Sequence, residues 1–351
     1  MKAIVHDTYG SADVLHLAEV PKPTIKPEEV LVRVHAAGVD RGAWHAMTGL
    51  PHIARLGFGL RRPRNRTPGL DLSGTVEAVG AEVTDFQPGD EVFGEGPSSW
   101  AEYARVKPHR LLHKPPHLTH PQAAVIPTSG ATALHMLLLP RATPGREGAG
   151  REGADPAARR AAGRAAGRAA GRAGIGRASN PGPGREVLVI GAGGGVGSFA
   201  VLLAKANGDT VTAVCSTTKV EAVRGFGADR VIDYEREQLT GSYDLIVDIA
   251  GNRSLSQLRA LLKPRGTLSI AGGEQGGQFL GGLERNLKAL SLSPFIKQTL
   301  RAPIVIAKRD DLAALTSIRS PLQRTYPLEE ASIAMHSLAT SQVTGKIALT
   351  I

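Results

Sequence analysis

The stretch from Val187 to Gly208, VLVIGAGGGVGSFAVLLAKANG, constrains this chain more than any other. Four apolar residues, Val187 to Ile190, suit a strand buried on both faces. Gly191, Gly194 and Gly197 follow three apart, and Ser198 to Ala206 continues with small and apolar helix formers before the stop signal Asn207-Gly208. A chain passing straight from strand to helix turns sharply, and side chains in that turn would keep a pyrophosphate away from the unpaired N–H groups at the helix start. The G-x-G-x-x-G spacing fails from Gly191, because Val196 stands where its last glycine belongs. Ala192-x-Gly194-x-x-Gly197 and Gly191-x-x-Gly194-x-x-Gly197 both fit. With strand and helix flanking it, the turn predicts a dinucleotide site whose backbone is Gly191, Gly193, Gly194, Gly195, Val196 and Gly197.

An NAD site expects an acidic residue about 20 positions on, at the end of the second strand, to hold the ribose 2′-hydroxyl. The expected strand, Thr210 to Val214, runs instead into Cys215-Ser216-Thr217-Thr218-Lys219. Hydroxyls and a cation suit a 2′-phosphate, which favours NADP(H) over NAD(H). Lys219 also reads as a solvated first-turn residue of the next helix.

Around this unit the pattern changes twice. Up to about residue 118, short alternating segments (Ala3 to His6, Val30 to His35, Gly74 to Val79, Glu91 to Phe93, Glu102 to Val106) are punctuated by proline and glycine, a barrel signature. Pro121 to Leu138 is helical in pattern, and from Val187 strands and helices alternate through Thr210, Arg230 to Ile232, Leu245 to Ile249 and Thr267 to Ile270, predicting a parallel, doubly wound sheet. The tail, with Arg309 to Ile318 helical and Lys346 to Ile351 a strand, is expected to return to the barrel. The fold class is therefore α/β: a barrel domain of residues 1–120 and 274–351, and a Rossmann domain of residues 121–273 interrupted at about 141–182.

The interruption explains the charge. Of the net +10, +7 lies between Arg141 and Arg185, where ten arginines face only Glu147, Glu152 and Asp155, and Ala-Ala-Gly-Arg repeats three times from Ala161. Such a tract has little to bury and reads as a flexible insertion; lacking aromatic residues for stacking, it makes nucleic acid an unlikely partner. No apolar run reaches membrane-spanning length and the N-terminus has no secretory pattern, so the expectation is a cytoplasmic protein off the membrane. The single cysteine, Cys215, excludes an internal disulfide and a multi-cysteine zinc site, and is expected to be packed.

Further motifs carry a resemblance. Gly69-x-Asp71-x-x-Gly74, Val76, Gly80, Val83, Phe86, Gly89-Asp90-x-Val92-x-Gly94 and Ala101-Glu102-Tyr103, with the glycine turn and the closing Gly345-Lys346, resemble the medium-chain dehydrogenase/reductase superfamily, and within it the zinc-independent quinone oxidoreductase (zeta-crystallin-like) branch. The resemblance implies a GroES-like barrel, an active site in the cleft between domains, no zinc, and hydride transfer from NADP(H) to a quinone or α,β-unsaturated carbonyl. Alternatives are an NAD(P)-dependent alcohol dehydrogenase, an enoyl-thioester reductase, or a cofactor-binding protein whose arginine tract contacts nucleic acid or a partner. Where alcohol dehydrogenases carry zinc ligands, this chain has Asp40 after Gly38-Val39, and Leu70-Asp71 after Gly69.

The resemblance also assigns residues. Lys219 and Tyr234 match the phosphate-contacting lysine and tyrosine, with Ser216 beside them; Thr132 matches the threonine near the nicotinamide, and Ala271 and Gly272 a turn at the strand end. Asp40 with Arg41 would face the nicotinamide pocket as catalytic residues, Asp40 relaying a proton or orienting substrate, although Asp40 also reads as pairing with Arg41 or with a backbone turn. Trp44, His45 and Met47 are expected along the substrate cleft, His45 as a proton donor because imidazole titrates near neutrality. A homodimer is compatible with the family pattern.

Overall fold

The computed structural model describes residues 1–139, 184–271 and 277–351. The arginine tract at 141–182 and Gly272 lie outside the described residues, as do the expectations attached to them.

Val187 to Ile190, apolar on both faces, are all 1% exposed or less in β8 (Glu186–Ile190), the centre of a six-stranded sheet. The others are β9 (Thr210–Cys215), β10 (Arg230–Asp233), β11 (Tyr243–Asp248), β12 (Leu262–Ile270) and β13 (Thr299–Arg301). They run parallel in the order β10-β9-β8-β11-β12-β13, so the chain reverses its direction of winding between β8 and β11. That switch leaves a crevice at the carboxyl ends of the two strands. One face packs on the helices Pro127–Met136 and Gly195–Ala206, through Leu134, Phe199 and Leu203; the other buries Leu258 and Ala289.

The remaining strands are β1 (Lys2–Val5), β2 (His16–Glu19), β3 (Val30–Val39), β4 (Asp71–Val79), β5 (Glu91–Glu95), β6 (Tyr103–Val106), β7 (Leu111–His113), β14 (Leu322–Pro327) and β15 (Lys346–Thr350). Seven of them form a mostly antiparallel sheet in the order β14-β15-β3-β4-β5-β7, with β6 also on β3. Its core holds Val30, Val32, Leu72 and the fully buried Trp100, whose indole N–H donates to the Gly38 carbonyl at 3.0 Å. As expected, the tail rejoins this domain, Ile347 opposite Val39.

Two boundaries differ from expectation. The Rossmann sheet does not end at residue 273, because β13 pairs with β12 and the helix Leu283–Leu292 buries Ala289 beneath it. Three residues of strand are too few to show a period. The helix expected over Arg309 to Ile318 stops at Leu315, where the Thr316 hydroxyl bonds the Ala313 carbonyl; it packs on Pro127–Met136 and is tied to the barrel by Arg309, which donates to the Leu111 and Pro108 carbonyls.

Candidate functional site

The turn after β8 is built by exclusion of side chains. Gly191 has φ 88°, a backbone region L-residues avoid, and a Cβ on Gly197 would lie 2.1 Å from the Gly191 carbonyl oxygen. Gly194 caps the following helix without a side-chain bond, so the amides of its first turn have no intrahelical acceptor and its positive end faces outward.

A cavity of about 420 Å³ opens there. It is lined by Gly191, Gly193, Gly194, Gly195 and Val196 from the turn, by Ser216, Lys219 and Tyr234 from beyond β9 and β10, by Thr128 and Ser129 from the helix Pro127–Met136, and by Asp40, Arg41 and Lys346 from the barrel. Lys219 donates to the Val343 carbonyl at 2.7 Å, its stem crossing the space a side chain on Gly193 would need. The carboxylate nearest the end of β9 is Asp233, which accepts from the Thr217 hydroxyl at 2.6 Å and the Glu235 amide at 3.1 Å and does not line the cavity. Burial pushes the Cys215 thiol up to about 11, so it is a packed group, as expected.

Lys346 is 2% exposed, and its ammonium has no hydrogen-bond partner among the described residues. A buried ammonium without a hydrogen bond is costly, and an anion entering the cavity would relieve it. Together with the uncapped helix start and the bare glycine cradle, this orphaned donor means that the residues fit a phosphorylated coenzyme. Its signal in the sequence was a lysine opening an otherwise apolar strand, Ile347-Ala348-Leu349.

A second cavity of about 820 Å³ meets the first at Asp40, Gly42 and Thr128. Pro21, Pro23, Phe58, Pro63, Pro68 and Leu70 make its walls largely apolar, with Asn65, Thr67 and Tyr103 as polar points. At the junction, Asp40 accepts from the Ala43 amide at 2.9 Å and caps the helix Arg41–Thr48 while lining both cavities; the Arg41 guanidinium lies 5.5 Å from the Trp44 ring. Behind Thr128 stand two buried acids. The Thr128 hydroxyl lies 2.6 Å from Asp71 Oδ1 and 3.3 Å from Glu95 Oε1, and the Thr128 amide donates to both Asp71 oxygens at 3.1 and 3.2 Å. Burial, with the charges of Asp40 and Glu95, holds the Asp71 carboxyl well above the usual range, and burial also raises Glu95.

Several assigned residues sit elsewhere. Thr132 does not line the cavity: its hydroxyl donates to the Thr128 carbonyl at 2.7 Å, back-bonding one turn along its own helix, while Thr128 and Ser129 supply the lining. His45 lines neither cavity, which opposes a role as proton donor; its Nδ1 is 2.6 Å from the Leu50 carbonyl oxygen. Met47 is barrel core at 1% exposed and Trp44 packs against the same core, so neither borders the cleft. Ala271 packs into the Rossmann core, and Gly197 acts beneath the turn. Among the described residues, no group of three His, Cys, Asp or Glu is placed to hold a metal ion, and no helix is long and apolar enough to cross a membrane.

Residues 26–116 match the alcohol dehydrogenase GroES-like domain and residues 226–349 the zinc-binding dehydrogenase family. The mitochondrial NAD(P)H oxidoreductase RTN4IP1 of Danio rerio is 32% identical over 285 residues, covering 75% of this chain; the chain spans 64% of that relative's length. The chloroplastic NADPH-dependent alkenal/one oxidoreductase of Arabidopsis thaliana is 28% identical over 369 residues, 99% of this chain and 78% of the relative. The Escherichia coli quinone oxidoreductase complexed with NADPH shares the fold, with a TM-score of 0.75 at 20% identity over the whole of both chains.

Proposed function

The chain belongs to the medium-chain dehydrogenase/reductase superfamily, in its zinc-independent quinone oxidoreductase branch, and on that premise we propose that it is an NADPH-dependent reductase of quinones or α,β-unsaturated carbonyls. The observation that carries this reading is the meeting of two unlike cavities at Asp40, Gly42 and Thr128: one polar, cationic and glycine-walled, the other apolar. The names of the relatives, an NAD(P)H oxidoreductase and an NADPH-dependent alkenal/one oxidoreductase, agree with it.

When bound, the coenzyme supplies a hydride. The amides of Gly195 to Gly197 would face its pyrophosphate, with the Lys346 ammonium as a further anion partner, and Ser216, Lys219 and Tyr234 would take the 2′-phosphate. No carboxylate lines that end of the cavity to accept a ribose hydroxyl, which favours NADPH over NADH. The proline-rich wall excludes water and accepts a flat apolar substrate. At the two positions where the superfamily's metal-dependent members carry ligands, Asp40 caps a helix and Leu70 lines the apolar wall, so activation falls to positioning rather than to zinc. The same reading includes a homodimer through the sheet edge at β13, beside the exposed Leu287 and Leu290.

The test is NADPH oxidation with a panel of quinones, enones and aldehydes, with NADH as control and metal content measured in parallel. Turnover of quinones and enones by metal-free protein is expected. Activity on simple aldehydes alone, or dependence on stoichiometric zinc, would overturn the reading.

A further inference from the structure

Hydride transfer to an enone or quinone leaves an anion that must take up a proton, and neither His45 nor Thr132 is placed to give it. The geometry points to Thr128 as the proton-donating catalytic residue, with Asp71 and Glu95 as positioning residues behind it, Asp71 recharging it; this rests on the reductase reading.

Thr128 lines both cavities, at the place where coenzyme and substrate would meet. Its hydroxyl is 2.6 Å from Asp71 Oδ1, a contact that works in two directions. With the carboxyl ionised, the hydroxyl donates to it. With the carboxyl protonated, the carboxyl donates to Thr128 Oγ1 and the hydroxyl proton is free to point into the cavity. Asp71 is fully buried, so solvent cannot serve it directly. Glu95, 2% exposed, lies 3.3 Å from the same hydroxyl and accepts from the Arg110 guanidinium at 3.5 Å and from the buried Ala307 amide at 3.3 Å. The charged groups facing Asp71 are Asp40 and Glu95, which favour its protonated form, and Lys346, which opposes it.

The step balances. The hydride forms a C–H or O–H bond on the substrate and shifts an electron pair to the conjugated carbon or oxygen. The Thr128 O–H bond breaks as that atom takes the proton, and the Asp71 carboxyl proton passes to Thr128 Oγ1. The resulting carboxylate regains its proton through the Thr128 hydroxyl, from water that enters the cavity once product has left. One hydride and one proton are consumed per turnover.

The experiment compares wild type, Thr128→Val and Thr128→Ser on two acceptors. An enone needs a proton after the hydride; a cationic phenothiazinium dye becomes neutral on accepting it and needs none. Thr128→Val is expected to lower kcat on the enone about 100-fold more than on the dye, the usual span of general-acid assistance, while Thr128→Ser restores most of it. Coenzyme affinity, read by nicotinamide fluorescence, should move little. Equal losses on both acceptors, or none on the enone, would overturn the relay alone. A wild type that reduces neither acceptor would overturn the reductase reading and the relay with it. A readout without turnover is the infrared band of a protonated carboxyl at neutral pH, expected to vanish in Asp71→Asn and to shift in Thr128→Val even where the first variant does not fold. Absence of that band in wild type would remove the proton store and the proposal.

Discussion

Arg185 and Asp209 form a buried two-point pair at the foot of the Rossmann sheet, Nε to Oδ1 at 3.1 Å and Nη2 to Oδ2 at 2.6 Å. Arg185 also donates to the Leu137 carbonyl at 2.9 Å, so the pair joins the start of β8, the turn before β9 and the end of the helix Pro127–Met136. The Asp209 side chain is wholly buried and the Arg185 side chain 10% exposed.

Removing one partner of such a pair strands the other charge in the interior, at a cost of about 3–5 kcal/mol. Asp209→Ala should therefore lower the urea midpoint sharply with little change in the slope. Replacing both residues by apolar side chains of similar volume should recover most of the loss. Equal destabilisation in the single and double variants would contradict this.

The glycine cradle separates backbone contacts from side-chain contacts. A Cβ on Gly197 meets the Gly191 carbonyl oxygen at 2.1 Å, which cannot move without opening the turn, whereas a Cβ on Gly193 meets the stem of Lys219 at 2.6 Å. Gly197→Ala is expected to abolish the fluorescence response to coenzyme and to lower thermal stability. Gly193→Ala should keep the fold and weaken coenzyme binding by displacing Lys219. The order of these effects is checked by titrating both variants.

The sequence made the Rossmann half legible because its signals are local. Four apolar residues, a glycine turn and a helix occupy one contiguous stretch, and β8 to β12 appear where alternation of strand and helix put them. The junction of the two cavities was less legible because it is assembled from residues far apart in the chain: Asp40, Asp71, Glu95, Thr128 and Lys346 meet only once the chain has folded. Thr132 drew attention as a hydroxyl in the right helix, yet one turn of helix separates it from the cavity, which Thr128 lines instead. His45 and Met47 failed for a related reason, since eight residues of helix present one face to the cleft and another to the core.

Asp71 ties stability to pH. Its carboxyl is raised by burial and by Asp40 and Glu95, so the folded state holds a proton that the unfolded chain releases. Where the folded state binds more protons, stability falls as pH rises. The contribution is thus fully present below the ordinary aspartate range and is lost as pH climbs through the raised value in the folded protein. Urea unfolding across that span should show Asp71→Asn, where it folds, gaining stability relative to wild type as pH rises. An opposite slope would mean that Lys346 outweighs the two acids.

Coenzyme preference should reside in the Lys219 ammonium. It lines the cavity with Ser216 and Tyr234, and no carboxylate beside them repels a phosphate. A charge-assisted hydrogen bond contributes about 1.5–3 kcal/mol, so losing it corresponds to roughly 10–100-fold in affinity. Lys219→Met, which keeps the stem that packs over Gly193, should raise the Kd for NADPH by that factor and the Kd for NADH far less. If both coenzymes weakened equally, Lys219 would be holding the turn through its bond to the Val343 carbonyl, and the 2′-phosphate would depend on Ser216 and Tyr234 alone.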